Sequence, residues 1–167
     1  GKKPSSGYMQ TKWDGAPSVV CGKHPANGMF FVGTKSVFNK TDPKICYDQN
    51  DVDIHYSDAS SDLKSKLKMC IEYFPSLNMD TVCQGDLLFT SDVKAEDIEG
   101  EKLYTFKPNA ITYAIPVNHP IGLALKKAKI GIVFHTSYSG NEIATMTAKA
   151  GAPKMKPTAD VFLVDND

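Results

Sequence analysis

Short β-rich runs separated by turn residues recur along the whole chain. Residues 16–21 and 29–32 flank a turn that contains Pro, Asn and Gly, which predicts an antiparallel hairpin. A second strand pair is predicted on either side of Gln84-Gly85. Strand-like runs of this kind lie at residues 81–83, 86–90, 103–106, 111–117, 130–135 and 161–164. Such local pairing predicts an α+β fold with mainly antiparallel sheets and few helices.

Two segments show helical periodicity instead. Residues 57–74 begin with Ser and Asp residues that can cap a helix, and apolar residues then recur at helical spacing until Pro75 ends the segment. Residues 121–128 predict a shorter helix. The continuous apolar run at 130–135, IGIVFH, is typical of a buried strand at the centre of a sheet.

The size of the chain indicates one domain. Its 167 residues suit a single unit over residues 1–167. No apolar run approaches the roughly 18 residues of a membrane helix, and the first ten residues lack the apolar core of a secretory signal. We therefore expect a cytoplasmic protein without a membrane partner. Because the chain ends directly after a predicted strand, we expect a fragment or a minimal form of a longer protein.

The charged residues limit the kinds of partner. Lys plus Arg and Asp plus Glu both number 19, which excludes a strongly basic nucleic-acid coat protein. Every one of these cations is Lys, so a phosphate site must use ammonium groups and backbone N–H groups. An Arg-free chain is typical of an AT-rich genome such as that of some phages, which would place the protein in the cytoplasm of an infected host.

The cysteines argue against a zinc site. They stand at positions 21, 46, 70 and 83, and no pair has C-x-x-C spacing. Cys21, Cys70 and Cys83 lie in apolar stretches and are predicted to be buried thiols in a reducing compartment.

The most informative motif is the pentapeptide TKWDG at residues 11–15. It fits the pattern K-x-D-G, and a β-rich run follows it directly. Four further segments follow in order: GTKS at 33–36, VCQGDLL at 82–88, IGIVFH at 130–135 and PKMK at 153–156. No G-x-x-x-x-G-K-[ST] is present, which excludes a P-loop ATPase by motif.

This series resembles the motifs of the covalent nucleotidyltransferases, the superfamily of ATP-dependent DNA ligases, RNA ligases and mRNA capping enzymes. The likeness runs from Lys12 to Lys156 and leaves no room for a C-terminal OB domain. It is strongest to a small phage-type RNA ligase core, or to an uncharacterised ligase-like family of tailed phages. The latter also carries a pattern F-x-P-N-x-I-x-Y, which residues 106–113 fit.

The resemblance implies a ligase reaction with ATP and Mg²⁺. Lys12 would attack the α-phosphate of ATP, release pyrophosphate and form Lys12–AMP. The AMP would pass to a nucleic-acid 5′-phosphate, RNA rather than DNA, and a 3′-hydroxyl would displace it. Asp86 would bind the ribose or a metal-bound water, and Phe106 would stack on the adenine. The implied nucleotide-binding residues are Thr11, Asp14, Gly15, Lys35, Asp86, Phe106, His135, Lys154 and Lys156.

Departures from the family pattern leave alternatives open. Ile130 stands where the fourth motif usually has a metal-binding Glu, and Asp86 is a shortened acid. Lys12 could be a plain surface residue and His135 a satisfied core histidine. One alternative is therefore a ligase-like phage protein without catalysis, acting as a nucleotide-binding or virion-associated module. If Glu142 supplies the missing acid, the enzyme hypothesis recovers, whereas a scaffold that binds no nucleotide is a third possibility.

Overall fold

The computed structural model describes residues 16–108 and 112–164 and has the expected α+β class with mainly antiparallel sheets. The strands in these residues are β1 (Ser18–Lys23), β2 (Phe30–Gly33), β3 (Val82–Phe89), β4 (Lys94–Ile98), β5 (Glu101–Phe106), β6 (Tyr113–Pro116), β7 (Ile130–Ser139), β8 (Thr147–Ala150) and β9 (Val161–Leu163). The α-helices are α1 (Gln49–His55), α2 (Ser61–Tyr73) and α3 (Pro120–Lys127). Short 3-10 helices cover Lys35–Phe38, Phe74–Leu77 and Ile143–Thr145.

Six strands form the main sheet, in the order β2-β1-β3-β7-β8, with β9 also beside β7. All neighbours are antiparallel except β9, which runs parallel to β7. The predicted hairpin of residues 16–21 and 29–32 is confirmed as β1 and β2. The predicted central strand is confirmed as β7, which pairs with β3 on one side and with β9 and then β8 on the other.

The helical prediction for residues 57–74 is confirmed with a later start. Helix α2 begins at Ser61, because the Ser60 hydroxyl accepts a hydrogen bond from the Leu63 N–H at 3.1 Å. The periodicity missed α1, a short helix with a reciprocal cap between Asp48 and Asp51. In the described residues no helix has the length and apolar character needed to cross a membrane.

The largest apolar cluster joins the main sheet to α1 and α2. Alternate residues of the strands, such as Val19, Cys21 and Phe134, pack there against Val52 and Leu67 of the helices. The prediction of buried thiols is confirmed for Cys21, Cys70 and Cys83, and Cys46 is also buried and free.

The opposite face of the main sheet carries two smaller clusters. One joins Leu88 and Val133 to the second sheet, whose antiparallel order is β4-β5-β6. The other, at the far end of the same face, includes Val20, Val82 and Ile143. The strand-like runs at 103–106 and 111–117 are confirmed as β5 and β6, which pair antiparallel.

The predicted strand pair around Gln84-Gly85 is wrong. Residues 82–89 form one continuous strand, β3, which is buried along its whole length. Gln84 and Gly85 keep their pairing with β1, where they lie opposite Val20 and Val19. The predicted interruption at Gln84-Gly85 is therefore the centre of the sheet.

Candidate functional site

Strand β3 carries two buried polar side chains on one face. Gln84 is 2% exposed and Asp86 is 1% exposed, and they lie between Val82 and Leu88 of the two smaller clusters. Burying such groups costs free energy unless they are hydrogen-bonded, so their partners are informative. Those partners come from β1 and β7, and the set is called the polar strip below: Ser18, Gln84, Asp86, His135, Thr136 and Tyr138.

Asp86 lies against His135 of β7. The Nε2 atom of the imidazole is 3.3 Å from Oδ1 of Asp86, and both side chains are largely buried. A β-bulge produces this contact, because Gln84 lies opposite Thr136 while Gly85 lies opposite Phe134, which leaves His135 as the extra residue. Bulges re-aim side chains in this way and are frequent next to active sites.

Thr136 fixes the second nitrogen of the same ring. Its Oγ1 lies 2.8 Å from Nδ1 of His135. A neutral imidazole satisfies both contacts when Nε2–H donates to Asp86 and the Thr136 hydroxyl donates to Nδ1. The ring is thus held in one orientation, with a carboxylate on one side and a hydroxyl on the other.

Gln84 links the other members of the polar strip. Its Nε2 donates to the Ser18 hydroxyl at 2.7 Å, and the Tyr138 hydroxyl donates to its Oε1 at 2.6 Å. Burial raises the pKa of Tyr138 above its usual range, so the phenol keeps its proton at neutral pH. Both ends of the Gln84 amide are therefore hydrogen-bonded.

Gly85 permits the close approach of β7. A Cβ atom at this position would lie 2.6 Å from the Val133 carbonyl oxygen and 2.9 Å from the Phe134 ring. Since the Val133 oxygen belongs to the backbone, it cannot move aside as a flexible side chain can. The glycine of the third motif is therefore required by the packing that brings His135 to Asp86.

The first motif lies outside the described residues. This applies to Lys12, the predicted nucleophile, and to Thr11, Asp14 and Gly15. The described chain begins next to them, and Ser18, the first residue of β1, lies directly opposite Asp86. The segment that carries Lys12 therefore leads into the strand beside the polar strip.

The predicted lysines lie on segments that leave the sheet near the polar strip. Strand β2 ends at Gly33, in the row of paired residues that continues to Gln84, and the exposed Lys35 follows in a 3-10 helix. Strand β8 ends at Ala150, opposite Thr136, and the next N–H donates to the His135 carbonyl oxygen at 2.8 Å. The exposed side chains of Lys154 and Lys156 follow.

Phe106 lies in a different environment. Its ring is 5% exposed, and it packs between Phe89 at 5.2 Å and Tyr113 at 5.6 Å between ring centroids. This aromatic group fills the cluster between the two sheets. The geometry brings Asp86 and His135 together and places Phe106 in the neighbouring apolar core.

The structure also places Ile130 and Glu142, the two residues that bear on the missing Glu of the fourth motif. Ile130 is fully buried in the large cluster on the helical side of the sheet. Glu142 is exposed beyond the end of β7, nine residues after Val133, which lies opposite Asp86. Within residues 16–108 and 112–164 no group of three His, Cys, Asp or Glu side chains could hold a metal ion.

Sequence reasoning missed four members of the polar strip: Ser18, Gln84, Thr136 and Tyr138. Their signal is present but weak. Gln84 and Asp86 are two apart in an apolar strand, as are Thr136 and Tyr138, so each pair shares a face. That these faces meet depends on the pairing of β3 with β7, which the sequence does not state.

Comparison with known protein families places the chain in a family. A family model described as a family of unknown function, DUF6267, matches residues 1–167. No curated protein matches the chain. No solved structure matches it either. Since the match spans the entire sequence, the chain belongs to the family DUF6267.

Proposed function

We propose that this protein is the core of an ATP-dependent polynucleotide ligase, acting on RNA rather than DNA. Lys12 would form the covalent bond to AMP, and the polar strip would line the nucleotide site. The observation that carries the proposal is the buried Asp86–His135 pair, 3.3 Å apart, next to the strand that follows the K-x-D-G motif. A buried carboxylate in contact with an imidazole is an arrangement that active and binding sites commonly use.

The length of chain between Lys12 and the pair is compatible with contact. Lys12 precedes Ser18 by six residues, which span at most about 20 Å when fully extended. A lysine side chain adds further reach. Lys12 is therefore within reach of the polar strip, as the proposed reaction needs.

Asp86 is the proposed acidic group for ribose or for Mg²⁺. Mg²⁺ is commonly held by one or two carboxylates together with substrate phosphates and water, so a group of several acids is not needed. Asp86 is buried beside His135 of β7, and its carboxylate is the acid proposed to meet an ion that arrives with ATP. His135, with both nitrogens occupied, would position Asp86, and Lys35, Lys154 and Lys156 would contact the phosphates.

A second function has support of its own. The position of the usual metal-binding Glu is filled by Ile130, which is fully buried in the core and cannot reach a ligand without disrupting it. This favours a module that binds a nucleotide but does not form the covalent intermediate. The two functions differ in one step, namely the attack of Lys12 on the α-phosphate.

Intact mass spectrometry after incubation with ATP and Mg²⁺ separates these functions. The wild type is expected to gain the mass of one AMP, and the Lys12→Ala variant is expected to gain none, because the nucleophile is lost. Lys23→Ala removes an exposed lysine at the end of β1 and serves as the matched control, which should be adenylylated like the wild type.

The other outcomes of the mass measurement identify a different nucleophile or a different function. An adduct in the Lys12→Ala variant would show that another lysine is the nucleophile. Absence of the adduct in the wild type and the control, with retained ATP binding, would assign the chain to the non-catalytic module. Treatment of the adduct with acid, which cleaves a phosphoramidate, should restore the original mass.

A further inference from the structure

A cavity lies outside the polar strip, where the main sheet meets the small one. Its volume is about 480 Å³, within the size range of pockets that bind small ligands. It is bounded by the end of α2, the turn after β3, the strands β4 and β5, and the end of α3. The polar strip lies on β1, β3 and β7, and of these strands only β3 leads directly into the wall of the cavity.

The polar groups in this wall are cationic or hydroxylic. The lining residues include two lysines, Lys126 and Lys129, and the hydroxyl-bearing residues Thr90, Ser91, Tyr73 and Tyr104. No carboxylate lines the cavity, and in residues 16–108 and 112–164 neither of these lysines forms an ion pair. This end of the cavity therefore suits an anion such as a phosphate.

The remaining wall offers two half-buried aromatic rings. Tyr73 and Tyr104 line the cavity, and neither ring stacks on another aromatic ring of the described residues. Partial burial, and then Glu72 and Asp160, raise the pKa of the Tyr73 phenol, so it stays protonated. The ring is therefore an uncharged surface in the cavity wall, on which a base can stack.

We propose that this cavity binds a nucleoside phosphate, with its base on the tyrosine rings and its phosphate against Lys126 and Lys129. Aromatic rings combined with a cationic groove are the usual means of holding nucleotides of a single strand without sequence preference. Along β3, Thr90 lies four residues beyond Asp86, which is about 13 Å at strand spacing. A strand held here would therefore run close to the proposed site of AMP transfer.

The choice of a nucleic-acid strand as the source of this nucleotide rests on the proposed ligase function. The test uses fluorescence anisotropy of a fluorescein-labelled oligouridylate with the full chain, over a series of salt concentrations and without ATP. Because no ATP is present, this measurement does not depend on adenylylation of Lys12. A negative result in the anisotropy titration therefore does not count against adenylylation of Lys12, and absence of the AMP adduct does not count against binding in the cavity.

Two variants remove the two kinds of contact. Lys126→Ala with Lys129→Ala should weaken binding and lower the slope of log affinity against log salt by about 1.4, since each lost phosphate contact on a single strand contributes about 0.7. Tyr104→Leu should weaken binding with an unchanged slope, because stacking releases no counterions. The control Lys40→Ala with Lys127→Ala removes the same charge from exposed lysines outside the cavity and should leave the slope unchanged.

The outcomes separate the sources of the ligand. Displacement of the labelled strand by uridine 5′-monophosphate would show that a free nucleotide suffices. A strand that resists this displacement but is weakened by the cavity variants would show that the cavity needs the polymer. Equal loss of slope in the cavity and control variants, or no binding by the wild type, would overturn the proposal.

Discussion

At the scale of single residues, the buried polar side chains at the centre of β3 do not give the most stable fold. Gln84 and Asp86 occupy positions where apolar side chains would pack without desolvating polar groups. Each is instead matched by a partner on another strand, Ser18 and Tyr138 for Gln84 and His135 for Asp86. Polar groups kept at such a cost are consistent with a binding role.

Tyr138→Phe tests the cost of one of these hydrogen bonds. The variant keeps the ring but leaves the buried Gln84 carbonyl without its donor, so the free energy of unfolding should fall by about 1–3 kcal/mol. Tyr47→Phe is the control, because its hydroxyl bonds the exposed Asn27 and its loss should cost less than about 0.5 kcal/mol. Urea unfolding measures both, and equal costs would contradict the importance of the polar strip.

The buried thiol of Cys46 makes the free energy of unfolding depend on pH in the alkaline range. Burial, and then Asp51 and Asp48, raise the pKa of its thiol from 9.0 to about 12. The unfolded thiol therefore releases its proton first, and the free energy of unfolding falls as pH rises from about 9 to about 12, by up to about 1.4 kcal/mol per pH unit. Cys46→Ala removes this contribution and should show a shallower pH dependence in urea unfolding.

The control for this pH dependence is Val52→Ala. Val52 is buried in the same cluster as Cys46 but does not titrate. Its loss lowers stability at every pH and should leave the wild-type slope unchanged. If Cys46→Ala kept the wild-type slope, the raised pKa of Cys46 would be the wrong explanation.

At the scale of elements, the sequence predicted most strands and missed the shape of β3. The hairpin of β1 and β2 is visible because its pattern and its turn are local. Gln84-Gly85 predicts an interruption between two strands for the same local reasons, because a polar residue is followed by glycine. The bulge at His135 depends instead on which strand pairs with β3, and a pattern within one segment carries no such information.

The start of α2 gives a prediction at this scale. Ser60→Ala removes the hydroxyl that accepts from the Leu63 N–H, and should lower the free energy of unfolding by about 1 kcal/mol. Ser65→Ala, an exposed position inside the helix, is the control and should be neutral or slightly stabilising, since Ala favours helix more than Ser. Circular dichroism during urea unfolding gives both values.

At the scale of the whole molecule, the site depends on contacts between distant segments. The α+β class follows from patterns that each segment carries alone. The polar strip unites β1, β3 and β7, which lie far apart in sequence, and Asp86 and His135 are 49 positions apart. The resemblance to nucleotidyltransferase motifs named both of these residues, whereas composition and periodicity named neither as partners of the other.

The last prediction concerns which acid serves the nucleotide. ATP present at about 100 times its Kd stabilises a protein that binds it by about 2.7 kcal/mol, or about 5–10 °C in Tm for a chain of this size. Asp86→Asn should lose this shift, measured against its own Tm without ATP, because it removes the charge beside His135. Glu142→Gln makes the same change at an exposed residue beyond β7 and should keep the shift.

The Tm shifts of these variants with ATP discriminate between a ligase, a nucleotide-binding module and a scaffold that binds no nucleotide. A shift lost in Glu142→Gln and kept in Asp86→Asn would move the acidic role to Glu142 and away from the polar strip. A shift present in the wild type without any adduct would favour nucleotide binding without catalysis. No shift in any variant would leave a scaffold that binds no nucleotide, and the buried Asp86–His135 pair would then serve to fix the register of β3 and β7.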